Sequence, residues 1–185
     1  MLRIEDAAEA VAEGETGATA SRTLARAVAD WPMVRATLQR NGASPMALVK
    51  VDGTIVAVRN DLRQHRDFMR DANEVTGALA PLFPTVGERV PASVHELDYL
   101  GRSVALDVAV RDWQRAHREA ASVATHWANL RPVVEARRHG RTAARQFDRA
   151  VKAIVAASDA RNARATRAAS TSITDAVDTV EKVFE

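Results

Sequence analysis

The feature that most constrains the fold is the stretch from residue 94 to residue 131, which contains no proline and only one glycine, Gly101. Its apolar and small side chains recur in alternating steps of four and three residues, so they share one face of a helix. This stripe consists of Leu106, Val110, Trp113, His117, Ala120, Ala124 and Trp127. A helix of this length spans roughly 54 Å, whereas a compact domain of this size is roughly 30–35 Å across. The stretch therefore predicts one long helix that packs against other long helices, from its own chain or from copies of it.

The composition favours helices that approach each other closely. Alanine occurs 37 times among the 185 residues, while aromatic residues make up 4%, and alanine has the highest helix propensity. The chain has no cysteine, which excludes disulfides and thiolate metal sites. We expect no signal peptide, since the N-terminal stretch is acidic, and no run of 18 apolar residues predicts a membrane span. The expected location is the cytoplasm, or the inside of an assembled particle.

Charge is unevenly distributed although the net charge is only +2. Residues 131–169 carry ten Arg or Lys and three Asp or Glu, whereas the first 20 residues and the last 16 are acidic. A basic middle between acidic ends can bind a polyanion, and it can equally dock head to tail on another copy of the chain.

Residues 47–58 carry the strongest β signal of the sequence. Two segments rich in β-branched residues, 47–51 and 54–58, flank Asp52-Gly53, a dipeptide that suits the tight turn of a β-hairpin. We therefore predict an N-terminal α+β portion in which three or four short helices accompany one hairpin. One of these helices is capped by Asn60 or Asp61, covers Leu62 to Ala72 and extends to Leu79 at the furthest. The free edges of a lone hairpin can pair with another copy.

A segment rich in Pro and Gly divides the chain, with Pro81, Pro84, Gly87 and Pro91 typical of a stiff connector. The predicted organisation is an N-terminal part at 1–80, a connector at 81–92 and a long-helix bundle at 93–185. The expected fold is mainly α, with three long antiparallel helices in the C-terminal part. Pro132 is expected to open the second of these helices, at 132–157. No internal repeat stands out.

A basic stripe is the first candidate for function. Arg138, Arg141, Arg145, Arg149 and Lys152 are spaced three, four, four and three residues apart, so they line one helix face, and Arg131 extends the row by a heptad. Such a row can follow a phosphate backbone. Two alternatives stay open. The row can be a seam that docks on the acidic ends of a neighbouring copy. It can also be a solvated face with local ion pairs, which are Glu135–Arg138, Arg145–Asp148 and Asp148–Lys152.

The N-terminal part offers a second route to nucleic acid. Two helices, at 21–30 and 32–40, precede the predicted hairpin in the order that a winged helix requires. The second helix would then place Arg35, Gln39 and Arg40 at bases or phosphates. The short apolar break Trp31-Pro32 weakens this interpretation.

Catalytic and metal-binding patterns are absent from the sequence. No two of the histidines His65, His95, His117, His126 and His139 are three or four residues apart, the spacing at which helical side chains share a zinc ion. Glu119 and His126 share a face but lie two turns apart. The glycines at 14 and 17 lack the Gly-Lys-Ser/Thr of a phosphate loop. We therefore predict no enzyme activity, no catalytic residue, no metal and no cofactor.

The sequence thus predicts a self-assembling structural or scaffold protein, a component of a ring, filament, shell or virion, and resembles no family that we can name. The alternative is a DNA-binding or DNA-packaging protein that uses the basic stripe. Trp113 and Trp127 in one apolar stripe, with Ile173 and Val180 in another, are the predicted interface residues. The expected partners are copies of the chain or a larger protein assembly, with nucleic acid as a further possibility and no membrane.

Overall fold

The fold was determined as a computed structural model that describes residues 1–14, 17–64 and 68–185. Within these ranges the chain is helical and contains no β-strand. The chain divides into two compact units, Met1–Glu88 and Arg89–Glu185, each with its own apolar core. Because the described residues contain no strand, the predicted N-terminal α+β portion is wrong. In the described part of the chain no helix is long and apolar enough to cross a bilayer.

Unit 1 is a bundle in which α1 packs on α2 and α5, and α4 packs on α5, α2 and α3. The break between α2 and α3 is a single residue, Asp30, and Pro32 follows in the first turn of α3, where its missing N–H costs no hydrogen bond. The elements are α1 (Leu2–Ala12), α2 (Gly17–Ala29), α3 (Trp31–Arg40), α4 (Pro45–Gln64), α5 (Met69–Leu79) and a 3₁₀ helix (Ala80–Val86).

The predicted hairpin is wrong, because residues 47–58 lie inside α4. The buried side chains of α4 are Leu48, Val51, Ile55 and Val58. Their spacing of three and four residues is that of a helix face packed on a core. Asp52-Gly53 does not turn the chain, because the Asp52 carboxylate binds side chains of α3. The helix predicted after Asn60 is likewise not one element, because Asn60 lies within α4 and Phe68 is the N-cap of α5, which begins at Met69. Residues 65–67, on which part of this prediction falls, lie outside the described residues.

Unit 2 is a four-helix bundle in which neighbours in sequence pack together and α6 packs on α9 to close the ring. Turns of three or four residues join the helices, so successive helices run antiparallel. The elements are α6 (Ala92–Ala109), α7 (Trp113–Glu135), α8 (Gly140–Asp159) and α9 (Ala163–Glu181). The C-terminal part therefore has four helices rather than the three predicted.

The single helix predicted over residues 94–131 is also wrong, because the chain turns at residues 110–112. Arg111 adopts a left-handed φ of 62°, and the Asp112 carboxylate caps α7 by accepting a hydrogen bond from the Arg115 backbone N–H at 3.0 Å. Val110, 64% exposed, and His117, also exposed, lie outside the core. The buried residues of α7 are Ala116, Ala120, Val123, Trp127, Leu130 and Val134, so only part of the predicted stripe faces inward.

The boundary between α7 and α8 also differs from the prediction. Pro132 lies inside α7, not at the start of the next helix. The turn comes at residues 136–139, where His139 has a left-handed φ of 63°. Gly140 opens α8 so close to α7 that a Cβ atom there would overlap the Val134 carbonyl oxygen. The chain therefore needs glycine at this position because the two backbones meet.

The two units repeat one another, which the sequence analysis missed. α2 begins at residue 17 and α7 at residue 113, 96 positions later. The same offset relates the buried positions of α1 to those of α6. It pairs the α1 residues Ile4, Glu5, Ala7, Ala8, Val11 and Ala12 with the α6 residues Leu100, Gly101, Ser103, Val104, Asp107 and Val108. The repeat makes α2 and α3 together the counterpart of α7, and α4 the counterpart of α8.

Candidate nucleic-acid interface

A side-chain cluster on α7 and α8 determines which charges of unit 2 are neutralised. The Asp148 carboxylate accepts a hydrogen bond from the Trp127 indole N–H at 2.8 Å and two from Arg131 Nε, at 3.1 and 3.2 Å. Arg131 also pairs with Glu135 at 3.0 Å. The Trp127 ring stacks on Phe147 with 4.3 Å between the ring centres. We call Trp127, Arg131 and Asp148 the unit 2 clamp.

Unit 1 contains the same cluster at the same spacing. The Asp52 carboxylate accepts a hydrogen bond from Trp31 Nε1 at 2.7 Å and two from Arg35 Nε at 3.0 Å. Arg35 also donates to Gln39 at 3.3 Å. Each member lies 96 positions before its counterpart, 31 before 127, 35 before 131 and 52 before 148. We call Trp31, Arg35 and Asp52 the unit 1 clamp.

The clamp shifts the protonation of Asp148. Burial alone raises the pKa of this carboxyl. Hydrogen bonds from Trp127 and Arg131 and the positive charges of Arg131 and Lys152 together outweigh burial, so the pKa of Asp148 lies below its usual value of 3.8. The same contacts raise the pKa of Arg131. Both groups are therefore charged at neutral pH, and their charges offset each other within the clamp.

The clamp leaves the basic stripe with little compensating charge. Glu135 and Asp148 are held by Arg131, so the predicted pairs Glu135–Arg138 and Arg145–Asp148 do not form. Lys152 acts on Asp148 only through its charge. Arg131 itself belongs to α7 and the unit 2 clamp, so its predicted place in the stripe is wrong.

The row of cations lies on the outer face of α8. Arg141, Arg145, Arg149 and Lys152 are exposed on this helix, and Arg138 is exposed in the turn before it. No carboxylate among the described residues forms an ion pair with any of the four arginines. The step from Arg141 to Arg145 and from Arg145 to Arg149 is about 6 Å along the axis. We call Arg138, Arg141, Arg145, Arg149 and Lys152 the basic row.

The equivalent face of α4 carries apolar side chains instead. The positions that correspond to Thr142, Arg145, Arg149 and Lys152 are Met46, Val49, Gly53 and Val56. Met46 is 84% exposed, Val49 62% and Val56 55%. We call these four residues of α4 the apolar row. The two units thus have the same architecture but present different chemistry on matching helices.

The winged-helix hypothesis is wrong, because the hairpin that would form the wing is part of α4. The side chains that were expected to contact DNA form hydrogen bonds within unit 1. Arg35 binds Asp52 and Gln39, and Arg40 donates to Thr37 at 3.1 Å.

The predicted interface residues lie mostly inside unit 2. Trp127, Ile173 and Val180 are at most 3% exposed and belong to the unit's own core. Trp113 is partly buried against the same core. An association between copies through the first three would require the bundle to open, so these side chains stabilise unit 2.

The described histidines do not form a shared site. His117 Nδ1 lies 2.7 Å from Asp159, and His126 Nε2 lies 3.7 Å from Glu96. His117, Trp113 and Arg161 line a surface pocket of about 490 Å³ at one end of unit 2. The described residues contain no group of three potential metal ligands. His65 lies outside the described residues.

Sequence reasoning missed the clamps, although their signal is present in the sequence. Trp-x₃-Arg occurs at 31–35 and at 127–131, and each motif is followed 17 residues after its Arg by Asp. Read together, the two occurrences reveal the repeat. Comparison of the chain with protein-family models, with curated proteins and with solved structures gave no match.

Proposed function

We propose that unit 2 binds the phosphate backbone of nucleic acid through the basic row, in a non-enzymatic role. The observation that carries the proposal is the exposure of four arginines with no carboxylate partner among the described residues. Like charges along one face destabilise a helix by a few tenths of a kcal/mol per pair. A polyanion that neutralises the row removes this repulsion.

The geometry favours contact with phosphates over recognition of sequence. Arg141, Arg145 and Arg149 follow one another at about 6 Å along α8, and a row of cations contacts successive phosphates without reading base edges. Guanidinium groups are well suited to this role, because they form paired hydrogen bonds with phosphate oxygens. The expected binding is therefore strong at low salt, insensitive to sequence and steeply dependent on ionic strength.

The test compares two triple variants that lose the same charge. Arg141→Gln/Arg145→Gln/Arg149→Gln removes the centre of the basic row. Arg161→Gln/Arg164→Gln/Arg167→Gln removes three exposed arginines that form no straight row along a helix. Binding of a labelled DNA duplex is measured by fluorescence anisotropy from 50 to 200 mM salt.

We expect the first triple variant to lower the slope of log K against log salt by about 3, since each phosphate contact contributes about 0.9. The second triple variant keeps most of the slope. Equal losses in both variants would show that only net charge matters, and unchanged binding in the first would refute the proposal.

A second function, self-association, is supported by the apolar row of α4. Large apolar side chains that are 55–84% exposed in a row three and four residues apart resemble the seam of a helix pair. Gly53 lies in the middle of the row, and the space around it is open, so a second helix can approach closely there. This supports the assembly role first inferred from the sequence, at different residues.

Matched substitutions test self-association. Val49→Asp/Val56→Asp introduces two charges into the apolar row. Val110→Asp/Val133→Asp places the same charges at two exposed valines of unit 2. Sedimentation should show an assembly of the parent chain that the first variant reduces to monomers and the second leaves intact. A monomeric parent chain would eliminate this second function.

A further inference from the structure

The surface pocket at one end of unit 2 has an aromatic wall. The pocket has a volume of about 490 Å³ and is formed by the start of α7, the end of α8 and the turn that follows α8, a size typical of small-ligand sites. Its aromatic residue is Trp113, which packs partly buried against the core of the unit. Trp31 and Trp127 donate their indole N–H groups to the clamp carboxylates, whereas the indole N–H of Trp113 has no partner among the described residues. This ring therefore lines the pocket without belonging to a clamp.

The lining of the pocket carries an excess of positive charge. The guanidinium groups of Arg118 and Arg161 are exposed and have no carboxylate partner in the part of the chain that the structure describes. The one carboxylate of the lining belongs to Asp159 and lies 2.7 Å from His117 Nδ1. Two arginines against one carboxylate leave a positive charge in either protonation state of His117. The pocket therefore favours an anionic ligand.

The two remaining side chains of the lining are polar. Gln114 is exposed and has both a donor and an acceptor group. The Ser158 hydroxyl is used within α8, where it donates to the Val155 carbonyl oxygen at 2.9 Å. An aromatic wall, an amide and two guanidinium groups suit a flat ring that carries a phosphate. A nucleotide has this chemistry, because its base stacks on aromatic side chains and its phosphate pairs with guanidinium groups.

The pocket lies at the end of the basic row. Asp159 follows Lys152 by seven residues within α8, which places it on the same helix face about 10 Å further along the axis. Unit 1 does not repeat the aromatic wall, since the residue 96 positions before Trp113 is Gly17. The aromatic pocket and the basic row therefore occur together in unit 2.

We propose that this pocket binds one unpaired nucleotide of the nucleic acid that the basic row contacts, an inference that rests on the proposed function. The base stacks on Trp113, and the phosphate pairs with Arg118 and Arg161. Stacking on an aromatic ring tolerates every base, because each base has a π-face. The pocket therefore selects single-stranded structure and not sequence. A fully paired duplex offers no unpaired base, so the pocket adds nothing to the binding of a duplex.

Two DNA hairpins of equal charge test the pocket. Both contain the same duplex and a short single-stranded extension, which consists of adenine nucleotides in one hairpin and of abasic sites in the other. Their binding to the intact chain is measured by fluorescence anisotropy. We expect the adenine hairpin to bind at least about fivefold tighter, which is the lower end of what the stacking of one base on an aromatic ring contributes.

Substitutions in the pocket should remove this preference. Trp113→Leu should make the two affinities about equal, whereas Trp113→Phe keeps a ring and part of the preference. Arg118→Gln/Arg161→Gln changes the exposed surface without touching the core, and it should weaken the adenine hairpin more than the abasic one. Its matched control, Arg164→Gln/Arg167→Gln, removes two exposed arginines outside the pocket and should keep the ratio of the two affinities.

The same hairpins separate a failure of the pocket from a failure of the basic row. Arg141→Gln/Arg145→Gln/Arg149→Gln should weaken both hairpins and keep their ratio, so unchanged binding of both would contradict the proposed function. Equal binding of the two hairpins by the parent chain would overturn the pocket proposal, as would a preference that both Trp113→Leu and the Arg118→Gln/Arg161→Gln variant retain. Tight binding of free adenosine monophosphate by a chain that binds both hairpins equally would identify a free nucleotide as the ligand, and it would also overturn the proposal.

Discussion

At the scale of single residues, the unit 2 clamp links acid stability to one carboxylate. Because the pKa of Asp148 in the folded protein lies below 3.8, its contribution to stability is present above about pH 4. That contribution is lost as the pH falls through the lowered value. Asp148→Ala should reduce the free energy of unfolding at pH 7 by about 2 kcal/mol, since it removes hydrogen bonds to a charged acceptor. Urea denaturation followed by tryptophan fluorescence measures this.

The control for the clamp is Asp175→Ala, which removes an exposed carboxylate of α9. It should change the free energy of unfolding by less than about 0.5 kcal/mol. The Asp148 variant should also lose less stability than the parent chain between pH 5 and pH 3. An equal acid response of parent chain and variant would contradict the role assigned to the clamp.

Asp71 in α5 responds to pH in the opposite direction. Burial, a hydrogen bond with Asp61 and the charges of Asp61 and Glu74 raise its pKa from 3.8 to about 6. A raised pKa stabilises the fold below the unfolded value, and this contribution is lost as the pH rises from about 4 through about 6. Asp71→Asn should therefore stabilise the protein at pH 7.5, by at most about 1 kcal/mol after solvent screening, and should have little effect at pH 4. Denaturation curves at both values test the sign, and stabilisation at pH 4 alone would contradict it.

At the scale of elements, two helical glycines should respond in opposite ways to alanine. A Cβ at Gly53 in α4 meets nothing within 4 Å, whereas a Cβ at Gly101 in α6 lies 2.6 Å from Ile173 Cγ2. Gly53→Ala should stabilise the chain by about 0.5–1 kcal/mol through helix propensity. Gly101→Ala should destabilise it, by about 1–3 kcal/mol, since Ile173 is fully buried and must shift. Urea denaturation of the two variants measures both effects, and a destabilised Gly53→Ala would show that α4 is not helical at this point.

The sequence was informative about helix faces and poor at locating turns. The basic row was predictable, since its spacing alone places Arg141, Arg145 and Arg149 on one face. The turn at residues 110–112 was missed because a left-handed Arg111 and the capping Asp112 replace the glycine or proline that usually marks such a break. The Asp-Gly dipeptide of α4 caused the opposite error, because it favours a turn locally but lies inside a helix. The tertiary contacts of Asp52 with Trp31 and Arg35 override a local turn preference.

The contrast between the outer faces of α4 and α8 could not be found by examining one helix at a time. It becomes visible only when the two units are aligned through the clamps. At the offset of 96 residues, Val49 of α4 corresponds to Arg145 of α8.

At the scale of the whole molecule, the repeat places the two proposed binding surfaces in different units. The apolar row belongs to unit 1 and the basic row to unit 2, and each bundle has its own core, so a substitution in one row leaves the other intact. The proposed self-association through unit 1 would bring several basic rows onto one nucleic acid. Once one basic row of an assembly is bound to the nucleic acid, the next row meets the same nucleic acid at a raised effective concentration.

This separation yields a final prediction about cooperativity. The parent chain should bind long DNA cooperatively, whereas Val49→Asp/Val56→Asp should bind the same DNA without cooperativity and at least about tenfold more weakly, through lost avidity. Its binding to a duplex that accommodates one molecule should keep the parent affinity and salt slope, because the basic row is unaltered. Anisotropy titrations with a short and a long duplex distinguish these effects. Equal weakening on both duplexes would mean that the apolar row acts on the fold or on DNA contact directly, and not by joining copies of the chain.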